Sequence, residues 1–130
     1  MADRSSTLAD HYRMFGRYNA WANSRLLAAA GRLSVDHTRA DRGAVREAED
    51  RRIVDFVDGL DDARIASTSK YRRVSSPQEF EQQLQPAPAH RFNHQTYHRG
   101  QVHSLLTGLV GEAPELDLQY FQRLAAETNA

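Results

Sequence analysis

The chain contains no cysteine. That excludes a disulfide framework, a thiolate metal site and a cysteine nucleophile. Net charge is also absent, with 17 basic residues against 17 acidic ones. A nucleic-acid binder draws affinity from a basic surplus that displaces counterions. A polybasic membrane anchor needs the same surplus. Neither partner is expected here. No apolar run approaches the roughly 18–20 residues of a membrane span, and MADRSSTLADHYR is charged from its third residue and lacks an apolar signal region. The expected setting is cytoplasmic. Lysine is nearly missing too, since Lys70 is the one lysine beside 16 arginines; a bias of this kind carries no functional weight. The sequence has no GxSxG elbow, no phosphate-binding P-loop, no GxGxxG, no internal repeat and no low-complexity segment.

What is present is modest. Hydrophobic residues make up 40% of 130, or 52 side chains, of which 18 are alanine. The 34 others can fill one small core in a single domain spanning residues 1–130. Leu8, Tyr12, Phe15, Asn19, Ala22, Leu26 and Ala29 step by three and four, predicting an amphipathic helix from about Leu8 to Ala30. Thr7 with Asp10 resembles a capping box, and Gly31 stands where the helix should end. Arg32 to Gly43 reads as a connector. A second helix is expected over Ala44–Asp58, with Ile53, Phe56, Val57 and Leu60 on one face and charged Arg46, Glu49 and Asp50 behind them. That first half therefore reads as solvated, and Asp61-Asp62 as a solvated turn. Alternation through Ile65–Tyr71 and Phe80–Leu84, around Ser75-Ser76-Pro77, predicts a short hairpin. After Pro86 and Pro88 a long helix should run from about Ala89 to Val110, capped by Gly111, with Val102, Leu105, Leu106 and Leu109 as its buried face. A short last helix is expected over Leu116–Ala126. Trp21 and its aromatic neighbours read as core.

The long helix carries His90, His94, His98 and His103. His94 and His98 are spaced i, i+4, so both project from one face about 6 Å apart, a spacing that lets two imidazoles reach one metal ion. Two surface histidines would give the same pattern. Stepping back from Leu105 by seven reaches His98, and by eleven His94, so the pair shares the leucine line. Buried there, the imidazoles would need a metal or partners such as Asn19 and Asn23. His90 lies roughly 12 Å from His98 at about 1.5 Å per residue, too far to share an ion, and reads as a surface or helix-start residue. His103 points away from His94. Mid-helix Gly100 is either tolerated or marks a close helix approach.

MFGRYNAWANSRLLAAAGRLS resembles the opening helix of the DinB family, with a YNxWAN signature at Tyr18–Asn23. HRFNHQTYHRGQVHSLLTGLVGEAPELDLQYFQR resembles that family's last long helix and tail, with NHxxxHRGQ at Asn93–Gln101. The resemblance covers nearly the whole chain. It implies an all-α, up-and-down four-helix bundle, often dimeric, holding a divalent ion on three histidines. His94 and His98 match two of them. The third would come from a stretch like LNHLLxADRxW in the family's second helix. Here Asp41-Arg42-Gly43-Ala44 passes directly into Val45-Arg46-Glu47-Ala48, as though a helix had been deleted near 43–46. Tyr97 stands where many relatives have a histidine. The expected architecture is thus a reduced bundle of about three main helices, a short hairpin and a short C-terminal helix.

Two functions follow from the resemblance. One is a zinc- or nickel-binding protein with hydrolase- or transferase-like, metal-assisted chemistry on an unnamed small molecule, its site on His94 and His98 and short of a third histidine. Asn93 and Gln101 would orient the ligands or serve the helix structurally. The other is a degenerate scaffold without catalysis that acts through association. Loss of a bundle helix should expose Leu26, Phe56 and Leu105, which favours a homodimer in which a second copy covers the missing side.

Overall fold

The computed structural model describes residues 7–32 and 38–128. Five helices and one two-stranded hairpin make up the described chain, in the order α1 (Leu8–Gly31), α2 (Thr38–Asp58), α3 (Asp62–Ile65), β1 (Thr68–Arg72), β2 (Glu79–Gln83), α4 (Pro86–Val110) and α5 (Leu118–Thr128). The chain is predominantly helical, as its periodicities predict.

α1 starts where its first turn can be satisfied. The Thr7 hydroxyl accepts the Asp10 N–H at 3.1 Å and the Asp10 carboxylate accepts the Thr7 N–H at 3.2 Å. Those two contacts with Thr7, helped by Arg13, hold the Asp10 carboxyl below its usual range. Along the helix Ala9, Tyr12, Gly16, Asn19, Asn23 and Leu26 are buried at steps of three and four, one continuous inward stripe.

α1 is the central element, and both α2 and α4 pack on it. At Gly16 the backbones come close. A Cβ there would lie 2.7 Å from Val57 Cγ2. A Cβ on Gly100 would meet nothing within 4 Å, so of its two readings the structure agrees with tolerance and the close approach is at Gly16. α2 begins at Thr38, six residues before the expected Ala44. Its buried line is Asp50, Ile53, Val57 and Leu60, so the inward face extends one turn further back than expected and includes a carboxylate. Asp61 caps α3 by accepting the Arg64 N–H at 2.8 Å, and Ile65 enters the core; the expected solvated turn is a helix start. The core proper gathers Ala9, Tyr12, Ile53, Val57, Leu60, Ile65 and Phe92.

The hairpin forms with Tyr71 opposite Phe80 in an antiparallel register, their rings stacked at 5.6 Å. Phe80 is the one residue of β2 that is partly buried. Pro86 opens α4 instead of preceding it, as suits a residue without an N–H in a first turn. Gly111 ends α4 in the left-handed region at φ 81°, its N–H donating to Thr107 O at 2.9 Å. α5 lays Tyr120 and Phe121 against Trp21, with ring centroids 6.0 and 5.3 Å away, and the Tyr18 hydroxyl donates to Leu116 O at 2.6 Å.

α2 and α4 flank α1 but leave a groove between them. It holds about 600 Å³ and is walled by Ile53, Phe56 and Val57 from α2 and by Ala87, Phe92 and His94 from α4. An ion pair, Arg91 Nη2 to Glu49 Oε1 at 2.8 Å, spans it. Arg52 and Arg91 together keep the Glu49 carboxyl below its usual range.

Candidate metal centre

α4 is a continuous helix through residues 90–103, so its side chains follow strict helical phase. Pro88, Phe92, Arg99 and Leu106 form the line against α1. His94 and His98 stand about a third of a turn away from that line, by the 100° per residue of helical geometry, and both are exposed. The Nε2 atoms lie 3.0 Å apart, with the rings edge to face at 4.4 Å. His98 Nδ1 lies 2.9 Å from Gln101 Oε1. The Gln101 carbonyl can only accept, which places the His98 proton on Nδ1 and a lone pair on Nε2. His94 then donates its Nε2–H to His98. Gln101 thus contacts one ligand candidate; both Gln101 and Asn93 are exposed.

Two nitrogens on a tetrahedral ion, each at about 2.0–2.1 Å, sit about 3.3 Å apart. The observed 3.0 Å is within a few tenths of that, so small ring rotations suffice for both to bind one ion once His94 carries its proton on Nδ1. The pair fits half of a four-coordinate site. Among the described residues no group of three or more His, Cys, Asp or Glu is placed to hold an ion. His90 is exposed and stacks on His94 at 6.1 Å without joining the pair. His103 is turned the other way and its Nε2 meets Pro114 O at 3.1 Å. His11 packs edge-on against Phe15. His37 lies outside the described residues.

The expected burial of the leucine line is corrected. Leu106 is buried, but Leu105 is 66% exposed, Leu109 73% and Val102 40%. α4 turns Leu106 toward α1 and leaves the Leu105–Leu109 line, which carries both histidines, exposed. The imidazoles face solvent and need no buried partner. Asn19 and Asn23, offered as such partners, are engaged elsewhere. Leu26, expected to be exposed, is buried, while Phe56 is 41% exposed.

The asparagines belong to a buried polar cluster that the sequence reading missed. Asp50 is 4% exposed, and its Oδ1 accepts from Arg46 Nε (3.0 Å), Arg46 Nη2 (2.7 Å), Asn19 Nδ2 (3.2 Å) and Asn23 Nδ2 (3.0 Å). Arg99, also buried, donates to Asn19 Oδ1 and to Thr96 Oγ1, with its guanidinium 5.0 Å from the Tyr18 ring centre. Burial pulls the Arg99 guanidinium below its usual value, and Tyr18 and then Asp50 act against that pull. The cluster locks α1 to α2 and α4 beside the histidines, since Arg99 directly follows His98. One signal could have revealed it. Arg46 and Asp50 are in phase with Ile53 and Val57, and Asn19 and Asn23 lie on the inward stripe of α1.

No helix among the described residues is long and apolar enough to cross a membrane. Set against known protein families, curated proteins and solved structures, the chain matches none of them.

Proposed function

We propose that the chain is a divalent-metal-binding protein of DinB type whose ion is held by Nε2 of His94 and Nε2 of His98. One observation carries the reading. Two exposed imidazoles converge to 3.0 Å, and the far nitrogen of one lies 2.9 Å from Gln101 Oε1, an acceptor that favours the ligating tautomer. Sequence supports it independently through the resemblance of Tyr18–Asn23 and Asn93–Gln101 to that family's two end motifs. Imidazole donors suit zinc and nickel. When bound, such an ion supplies Lewis acidity and a water of lowered pKa, the basis of metal-assisted hydrolysis or transfer. The residues here would orient the ligands through Gln101, and the adjacent groove would receive the organic part of a small substrate between Phe56 and Phe92.

The second reading is a non-catalytic scaffold acting through dimerisation. Its support is the missing third ligand among the described residues and the exposure of Leu105, Leu109 and Phe56. Metal analysis of the purified protein separates the two. The proposal expects a divalent ion in the wild type and its loss in His94→Ala and in His98→Ala. Equal trace metal in all three would leave the scaffold reading standing alone.

A further inference from the structure

Half of a four-coordinate site is displayed on an open face, so the other half has to arrive from outside the described chain. The occupant must bring nitrogen or oxygen donors together with apolar side chains, because the flanking surface is the apolar groove between α2 and α4. A second copy of α4 meets both needs on one line, with His94 and His98 followed by Leu105 and Leu109. We infer that two copies of this chain bridge one divalent ion through four imidazoles, His94 and His98 of each, across a two-fold axis at the middle of α4. This rests on the metal-binding reading above and adds the source of the missing ligands.

Register arithmetic supports the arrangement. A two-fold axis between His94 and His98 passes at position 96, so antiparallel α4 helices place Leu105 of one copy opposite Ala87 of the other. Both lie nine residues from the axis, about 13 Å at 1.5 Å per residue. Ala87 lines the apolar groove together with Ile53, Phe56 and Phe92. Leu105, exposed in the single chain, therefore arrives at the hollow beside Ala87, and the contact is self-complementary as two-fold symmetry requires. Electrostatics do not oppose it. The chain has zero net charge, and the groove rim carries both signs in Glu49, Arg52 and Arg91. Zinc with four nitrogen ligands is coordinatively closed, so in this assembly the ion joins the copies, and the metal-binding part of the reading above is kept without its metal-assisted chemistry.

The test is zinc titration of the full chain, read by light scattering and by metal-to-protein ratio. Expected are one zinc per two chains, a doubled mass with zinc, and return to monomer on chelation. His98→Ala should stay monomeric with zinc present. Leu105→Glu keeps both histidines and alters an exposed position, so it should fold normally, yet it should bind zinc on the order of a hundredfold more weakly because the second pair of ligands cannot approach. One zinc per monomer would keep the metal-binding reading and overturn the bridge. So would a dimer that persists in chelator and in His98→Ala, or wild-type zinc affinity in Leu105→Glu. A chain that takes up no zinc at all would overturn both.

Discussion

Asp50 shows how much a single buried charge can organise. Four donor contacts from three side chains converge on its Oδ1, and two of those side chains come from α1. Removing the carboxylate leaves Asn19 Nδ2 without its acceptor, leaves Asn23 only its 3.5 Å contact with Asn19 Oδ1, and frees Arg46 from its ion pair. Asp50→Ala is therefore expected to destabilise by about 3 kcal/mol, as when one partner of a buried pair is deleted. Asp50→Asn should lose less, because one acceptor oxygen remains. Urea unfolding of the three proteins checks the order, and an alanine variant as stable as wild type would contradict the role assigned to the cluster. The histidines differ in kind. They stand in solvent, so their replacement should leave stability within about 0.5 kcal/mol while removing the proposed ion.

Among the elements, the glycines of α1 and α4 make a direct comparison. Gly16 sits where α1 meets α2, and a methyl there would press on Val57, itself 1% exposed. Gly16→Ala should cost about 1–3 kcal/mol, the usual penalty of overpacking. Gly100 has open space around it in the middle of α4. Gly100→Ala should stabilise by about 1 kcal/mol through helix propensity and reduced unfolded-state entropy. Thermal melts of the two variants should thus move in opposite directions. Element existence was legible because amphipathic periods, the Thr7 cap and Gly111 are local features. Two boundaries were not. The early start of α2 lies in a stretch without apolar periodicity, and α3 depends on Asp61 capping a single turn that no pattern announces. The burial of α4 was misjudged for a different reason. The four apolar residues share an arc of about 100°, and periodicity alone does not say which edge of that arc meets α1.

At the scale of the whole molecule, α1 holds a set of partners that scarcely touch one another. One tie across this arrangement is the Tyr12 hydroxyl, which donates to Gln85 O at 2.5 Å and fastens α1 to the start of α4. Burial raises the Tyr12 phenol above its usual value. An acid with a raised folded-state pKa favours the folded state while it is neutral. Its contribution is complete below about pH 10, the unfolded value, and is lost as pH rises through the higher folded value. Wild-type stability should consequently fall above pH 10 more steeply than that of Tyr12→Phe, measured by denaturant midpoints from pH 8 to 11. At neutral pH the phenylalanine variant should be weaker by about 1 kcal/mol, the net worth of one hydrogen bond.

The open groove is the property no residue list announces. The sequence alone determined the helical class, the order of the long helices, the hairpin and the i, i+4 histidine pair, because each follows from spacing along the chain. Only the tertiary structure decided that the histidines and Leu105 face outward, that Asp50 and Arg99 are buried together, and that α2 and α4 stand apart. Those outcomes depend on which arc of each helix meets α1, and that choice is made by packing between residues distant in sequence, at Gly16 against Val57 and at Asn19 between Asp50 and Arg99.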